Sequence, residues 1–294
     1  MIQSRREFFK VAAMRGAGLA GLAGMLRGPL VRTVRASDQY SSVVLAKGPV
    51  GYWRLGESMG VTASDSSGNG YDGAYMGNPT LGDPGAINND PDTAVTLHGA
   101  GSGDFVEIPD QAGAPFSQPT SGAGLTVEVW MRPDALSFPG ETSDPYIHWL
   151  GKGIPSNYEW GFRFYTQESP DRPNRISAYL WNPSGSLGAG AYFQDSLVAG
   201  VWMHVVACYD PGDFTNPKAG VQIYRDGVRR LGPPSPGTLY ATYGISSVNG
   251  TAPVRLGARN NVNLTFPGGL DEVAIYPRVL SPGEILENYT VGTS

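Results

Sequence analysis

A single cysteine, Cys208, excludes an intramolecular disulfide anywhere in the 294 residues. It lies in the apolar run 205–209 and reads as a packed strand thiol, not as a reactive one. Only three histidines are present, none paired at ligand spacing, which excludes a zinc site. Charged residues make up 16% of the chain, too few to coat long solvent-exposed helices. The one long weakly apolar stretch, near the N-terminus, is broken by Arg15 and Arg27, so it does not make a stable bilayer-spanning helix.

What is abundant points the other way. With Gly 41, Pro 24, 11% aromatics and 40% hydrophobic residues, the composition favours many short strands around a sizeable core. Charge is unevenly spread. Residues 1–36 carry seven Lys/Arg and one acid, which leaves 14 basic and 25 acidic residues in the rest. An acidic body repels phosphate backbones, which excludes nucleic acid as a partner, and it suits cations such as Ca²⁺.

Ser4-Arg5-Arg6-Glu7-Phe8-Phe9-Lys10 resembles the twin-arginine export signal, with Arg5 and Arg6 as its arginine pair. An Ala/Gly/Leu stretch follows, and Val34-Arg35-Ala36 ends it with small residues where a signal peptidase reads. The resemblance implies a signal peptide over 1–36 and a mature domain over 37–294. It also implies a periplasmic or extracellular product of a prokaryote, folded before export and without a stable membrane anchor.

From residue 40 onward, short apolar runs alternate with Gly/Pro/Asn/Asp clusters. Strands are expected at 127–131, 160–165, 176–181, 203–209, 221–225, 254–257 and 270–276. Loops are expected at 77–92, 133–145 and 210–219. Asp226-Gly227 supplies the two positive φ angles of a type I′ hairpin turn. Ser281-Pro282-Gly283-Glu284 is a capping-box spacing with Pro at the first helical position, predicting one short C-terminal helix.

Five blocks resemble, in order, the laminin-G-like members of the concanavalin A-like lectin/glucanase jelly-roll family. They are Pro49-Val50-Gly51-Tyr52-Trp53 with the 65–70 loop, the 125–131 strand, the 202–207 segment leading to Tyr224-Arg225-Asp226-Gly227, the 266–276 segment, and Leu280-Ser281-Pro282-Gly283-Glu284-Ile285. The resemblance implies an all-β, two-sheet antiparallel jelly-roll sandwich spanning the mature chain. It further implies that the first and last strands are neighbours, with the 65–70 loop near Asp271.

Asp65-Ser66-Ser67-Gly68-Asn69-Gly70 sets oxygen-bearing side chains on a glycine-rich loop, which suits the flexible oxygen shell of Ca²⁺. The family resemblance adds Asp271, giving Asp65, Ser67, Asn69 and Asp271 as the expected set for a structural calcium. The same loop also reads as an Asx-turn in which Asp65 and Asn69 bond their own backbone.

Trp53, Trp130 and Trp202 fall in the family-like strands and read as packing. Trp149, Trp160, Tyr179 and Trp181 lie outside them and form the candidate ligand surface, since flat aromatic faces stack on sugar rings. For any one of these rings, core packing is the competing reading. Tyr179 and Trp181 share a face of a regular strand.

No catalytic residues emerge. Retaining glycosidases need two carboxylates about 5–5.5 Å apart, and the alternating acids of related glucanases are missing. Asp271 and Glu272 are adjacent, and in a regular strand they point to opposite faces. Glu128 and Glu159 stand alone in sequence, and there is no G-x-S-x-G elbow. The expected function is therefore a non-catalytic module recognising a polysaccharide or glycoconjugate. The alternatives are an adhesive domain that binds a cell-envelope protein, then a glycoside hydrolase or lyase.

Overall fold

The computed structural model describes residues 36–294 except 112–113, 118–123, 144, 182–187, 211–219, 231–237, 242–248 and 260. The expected arginine pair, Arg5 and Arg6, and all but the first residue of the loop expected at 210–219 lie outside the described residues.

In chain order the elements are α1 (Ala36–Ala46), β1 (Gly51–Trp53), β2 (Thr62–Ala63), β3 (Gly73–Met76), β4 (Thr80–Pro84), β5 (Thr93–His98), β6 (Phe105–Ile108), β7 (Leu125–Pro133), β8 (Tyr146–Ile154) and β9 (Asn157–Tyr165). They continue with β10 (Ile176–Trp181), β11 (Gly188–Phe193), β12 (Met203–Tyr209), β13 (Val221–Arg225), β14 (Val228–Arg230), β15 (Thr238–Ala241), β16 (Val254–Leu256), β17 (Pro267–Tyr276) and α2 (Pro282–Gly292). Among the described residues, these strands form two antiparallel sheets. One has eight strands in the order β14-β13-β12-β7-β17-β5-β4, with β1 also on β17; the other has nine, β15-β11-β10-β9-β8-β16-β6-β3-β2.

The jelly-roll expectation holds, and so does the pairing of first and last strands: Trp53 faces Val273 across β1 and β17. Asp226 and Gly227 take φ of 53° and 74°, as the hairpin turn requires. Ser281 caps α2 with a reciprocal Glu284 box. The expected 77–92 loop is interrupted by β4, whose pairing to β5 compensates a Gly/Pro-rich sequence that carries little strand signal.

Alternation divides the residues of β7 between two cores. Val127, Val129 and Met131 enter the main core between the sheets, with Trp53, Trp149, Trp160, Phe162, Phe164 and Leu180. Trp130 points outward into a second cluster with Tyr40, Val44, Tyr276 and Ile285, where α1 and α2 cover the eight-stranded sheet. Helix α1 has no counterpart among the sequence expectations, because its residues carry neither a cap signal nor a strong apolar stripe. Tertiary contacts hold it: Tyr40 is fully buried, and its hydroxyl accepts the Trp130 indole N–H at 2.8 Å. Among the described residues, no helix is long and apolar enough to cross a membrane.

Candidate ligand-binding site

The outer face of the nine-stranded sheet carries a different set of side chains. On β10, Ile176, Ala178 and Leu180 point inward, so Tyr179 and Trp181 share the opposite face and stack, with ring centroids 5.0 Å apart and planes at 15°. Arg163 of β9 places its guanidinium carbon 4.3 Å from the Tyr146 ring centroid, 4.7 Å from that of Tyr179 and 5.6 Å from that of Trp181.

Arg259, beyond β16, lies across β8 and β9. Its stem crosses the facing pair Gly151 and Gly161, where a Cβ would come within 2.7 and 2.9 Å of Arg259 Cδ. Its guanidinium sits 4.4 Å from the Trp181 ring and 4.8 Å from the Tyr158 ring. Both arginines donate to His148 Nε2, Arg163 from Nε at 2.9 Å and Arg259 from Nη2 at 2.8 Å. An imidazole nitrogen that receives guanidinium donors carries no proton, so His148 is neutral, with Nδ1–H donating to Glu141 at 2.8 Å. Burial, then Arg259 and Arg163, hold the His148 pKa well below its ordinary value. Burial raises that of Glu141. Burial, then the neighbouring Arg163, lowers Arg259 to about 9, which leaves it charged at neutral pH.

Glu141, Tyr146, His148, Tyr158, Arg163, Trp181 and Arg259 line a cavity of about 160 Å³. Trp181 was expected on the ligand surface and lines this cavity, with Tyr179 stacked beside it. Trp149 and Trp160 are corrected: both are fully enclosed in the inter-sheet core, because their strand positions alternate inward. Tyr158, near the expected tryptophans in sequence, lines the cavity too, whereas sequence reasoning missed Glu141, Tyr146, His148, Arg163 and Arg259 as site residues. One signal for Arg163 was present, a lone cation inside the aromatic strand 158–165.

The expected calcium ligands do not fit a cation. Asp65 Oδ1 accepts the Tyr52 and Ser67 backbone N–H groups, and Oδ2 accepts the Ser67 hydroxyl and the Tyr71 N–H. Its acceptor capacity is filled by its own loop, the Asx-turn alternative. Asn69 turns its amide N–H groups to Val50 O and Ser67 Oγ. Asp271 instead accepts from Ala86 N, in a different set of neighbours. Among the described residues, no group of three or more His, Cys, Asp or Glu is placed to hold a metal ion.

The carboxylates are also placed otherwise than expected. Between Asp271 and Ala274 the pairing with β7 slips, with Glu272 at φ 51°, a β-bulge. Leu270 and Val273 both stay in the main core. Asp271 and Glu272 thus lie off that core together, rather than on opposite faces, with Arg54 and Asp92 acting on both. Glu128 and Glu159, isolated in sequence, are both buried and paired: Glu128 with His204 at 2.7 Å and Glu159 with Lys152 at 3.1 Å. Cys208 is buried, and burial raises its thiol pKa to about 12.

A family model described as the Concanavalin A-like lectin/glucanases superfamily matches residues 100–286. The zebrafish (Danio rerio) Adhesion G-protein coupled receptor V1 is 24% identical over 165 residues, which is 56% of this chain and 2% of the receptor. Domain 4 of AbnA, a GH43 extracellular arabinanase from Geobacillus stearothermophilus, solved in complex with arabinotriose, superposes with a TM-score of 0.52. It is 18% identical, with 82% of this chain and 98% of that chain covered. The binding domain of botulinum neurotoxin DC, solved with SialylT and with rat synaptotagmin II, gives TM-scores of 0.57 and 0.58. Identity is 12% in each, over 84% of this chain and 52% of that chain. At these identities the solved structures show a shared fold.

Proposed function

The chain belongs to the concanavalin A-like lectin/glucanases superfamily, and from that premise we propose that it is an exported, non-catalytic module that binds a saccharide in the cavity beside Trp181. Fold alone does not assign a ligand. The observation that carries the reading is a cavity of about 160 Å³ in which the polar groups of Glu141, His148, Arg163 and Arg259 converge, with Tyr146, Tyr158 and Trp181 among its lining residues. The arginines held over these rings present guanidinium donors to the oxygens of a sugar. Arabinotriose on domain 4 of the arabinanase and SialylT on the toxin domain support a saccharide ligand. The arrangement around His148 supports binding over catalysis: its Nε2 is held by two arginines and its Nδ1 by Glu141, so the ring has no nitrogen left for proton transfer. Arg5 and Arg6 are proposed as the export signal.

The test is binding to a broad panel of polysaccharides and oligosaccharides, with the native protein and with Trp181→Ala. Binding to at least one glycan that Trp181→Ala abolishes is the expected result. Silence across the panel, with a cell-envelope protein captured instead, overturns it in favour of an adhesive domain.

A further inference from the structure

Arg259 is 2% exposed, yet among the described residues two of its three guanidinium nitrogens, Nε and Nη1, have no hydrogen-bond partner. Its Nη2 donates to His148. A buried cation with incomplete hydrogen bonding has lost its hydration without recovering it elsewhere. The Tyr158 and Trp181 rings and the Glu141 charge act on it without supplying those two nitrogens with acceptors. Of the seven residues lining the cavity, Arg163 and Arg259 are cationic and Glu141 is anionic, while His148 is held neutral. The Glu141 carboxylate is turned to the backbone N–H and ring N–H of His148. Among the described residues no ion pair joins it to either arginine. The cavity therefore keeps a net positive charge in a chain whose formal net charge is −5. Burial raises the pKa of the nearby Tyr146 and Tyr179, so neither adds a negative charge at neutral pH.

These features select an oxyanion. A planar guanidinium matches a carboxylate in shape and charge. The volume, about 160 Å³, is close to the ~150 Å³ that accommodates one six-membered ring. Resting on the saccharide reading above, we propose that the cavity takes a carboxylated sugar, its carboxylate against Arg259 and Arg163. A sulfate ester offers related chemistry on a tetrahedral frame and is separated from a carboxylate by the test.

Calorimetric titration of the native protein uses oligogalacturonate and sialyllactose as the carboxylated probes. Methyl-esterified oligogalacturonate and lactose are their neutral counterparts, and dextran sulfate is the sulfated arm. At least one carboxylated probe is expected to bind roughly 10- to 100-fold more tightly than its neutral counterpart. Arg259→Gln should bring that probe down to the neutral one's affinity. The comparison of charged with neutral probes on the native protein stands even if the variant fails to fold. Equal binding of charged and neutral probes, lost in Trp181→Ala, overturns the carboxylate and leaves the saccharide reading intact. Arg259-dependent binding of dextran sulfate alone overturns the carboxylate in favour of a sulfate. Silence of every saccharide overturns both.

Discussion

Gly151 and Gly161 face each other across β8 and β9, and the side chain of Arg259 occupies the space their missing Cβ atoms leave. The two positions are not equivalent. A Cβ at Gly161 meets Arg259 Cδ at 2.9 Å, with Arg259 Nε and the Leu150 carbonyl at 3.2 Å, whereas one at Gly151 presses closer on backbone, meeting the Trp160 carbonyl at 2.7 Å and Gly161 Cα at 2.8 Å. Gly161→Ala should displace a flexible side chain, weakening ligand binding several-fold with little change in stability. Gly151→Ala presses on backbone and should cost about 1–3 kcal/mol. Paired ligand titrations and urea unfolding curves check both.

Glu128 is the buried anchor of both helices. It accepts from Asn288 of α2, from the Tyr40 hydroxyl of α1 at 3.4 Å, from His204, and from the Tyr276 hydroxyl at 2.8 Å. The His204 hydrogen bond and charge, with Tyr276 and Asn288, outweigh burial and hold its pKa below the ordinary value. Its contribution is therefore full above the unfolded-state pKa and is lost as pH falls through the folded one. Glu128→Ala leaves four buried partners unanswered and should cost about 3–5 kcal/mol in denaturant unfolding at neutral pH.

Glu272 has the opposite pH signature. Burial raises its pKa to about 7, against the pull of Arg54, with the Tyr52 hydroxyl as a further partner. An unfolded Glu titrates near ~4.3. Between these values the folded state keeps a proton that the unfolded chain has lost, so this group's contribution falls as pH rises through about 7. Glu272→Gln should flatten the decline of Tm across that window; an unchanged profile assigns the slope to another group.

Cys208 should be inert in the native state. Fully enclosed, with its thiol pKa near 12, it offers almost no thiolate at pH 8. A chromogenic disulfide reagent should label it only after denaturation; fast native labelling would mean that β12 opens locally.

Because the 65–70 loop closes on itself through Asp65, removing calcium should leave the protein unchanged. Tm measured with EDTA and with added calcium is expected to coincide. A rise with calcium would require a set of oxygens other than Asp65, Ser67, Asn69 and Asp271.

The sequence by itself determined the elements whose signals are local. Alternation marked 127–131 and 176–181, Asp226-Gly227 set a hairpin, and Ser281 with Glu284 opened α2, because each depends on residues a few positions apart. It also brought Tyr179 and Trp181 to one face through the two-residue period of a strand. Tertiary structure decided the rest. Trp149 and Trp160 match Trp181 in chemistry, yet only the packing of one sheet on the other shows that they face inward. The cavity joins Glu141, His148, Arg163 and Trp181 to Arg259, more than seventy residues further along the chain. A segment such as Gly257-Ala258-Arg259 carries no periodic or motif signal of its own. Its role arises because β16 pairs with β8, which carries Arg259 onto the Gly151–Gly161 window. Long-range strand order sets such convergence, and no local propensity encodes it.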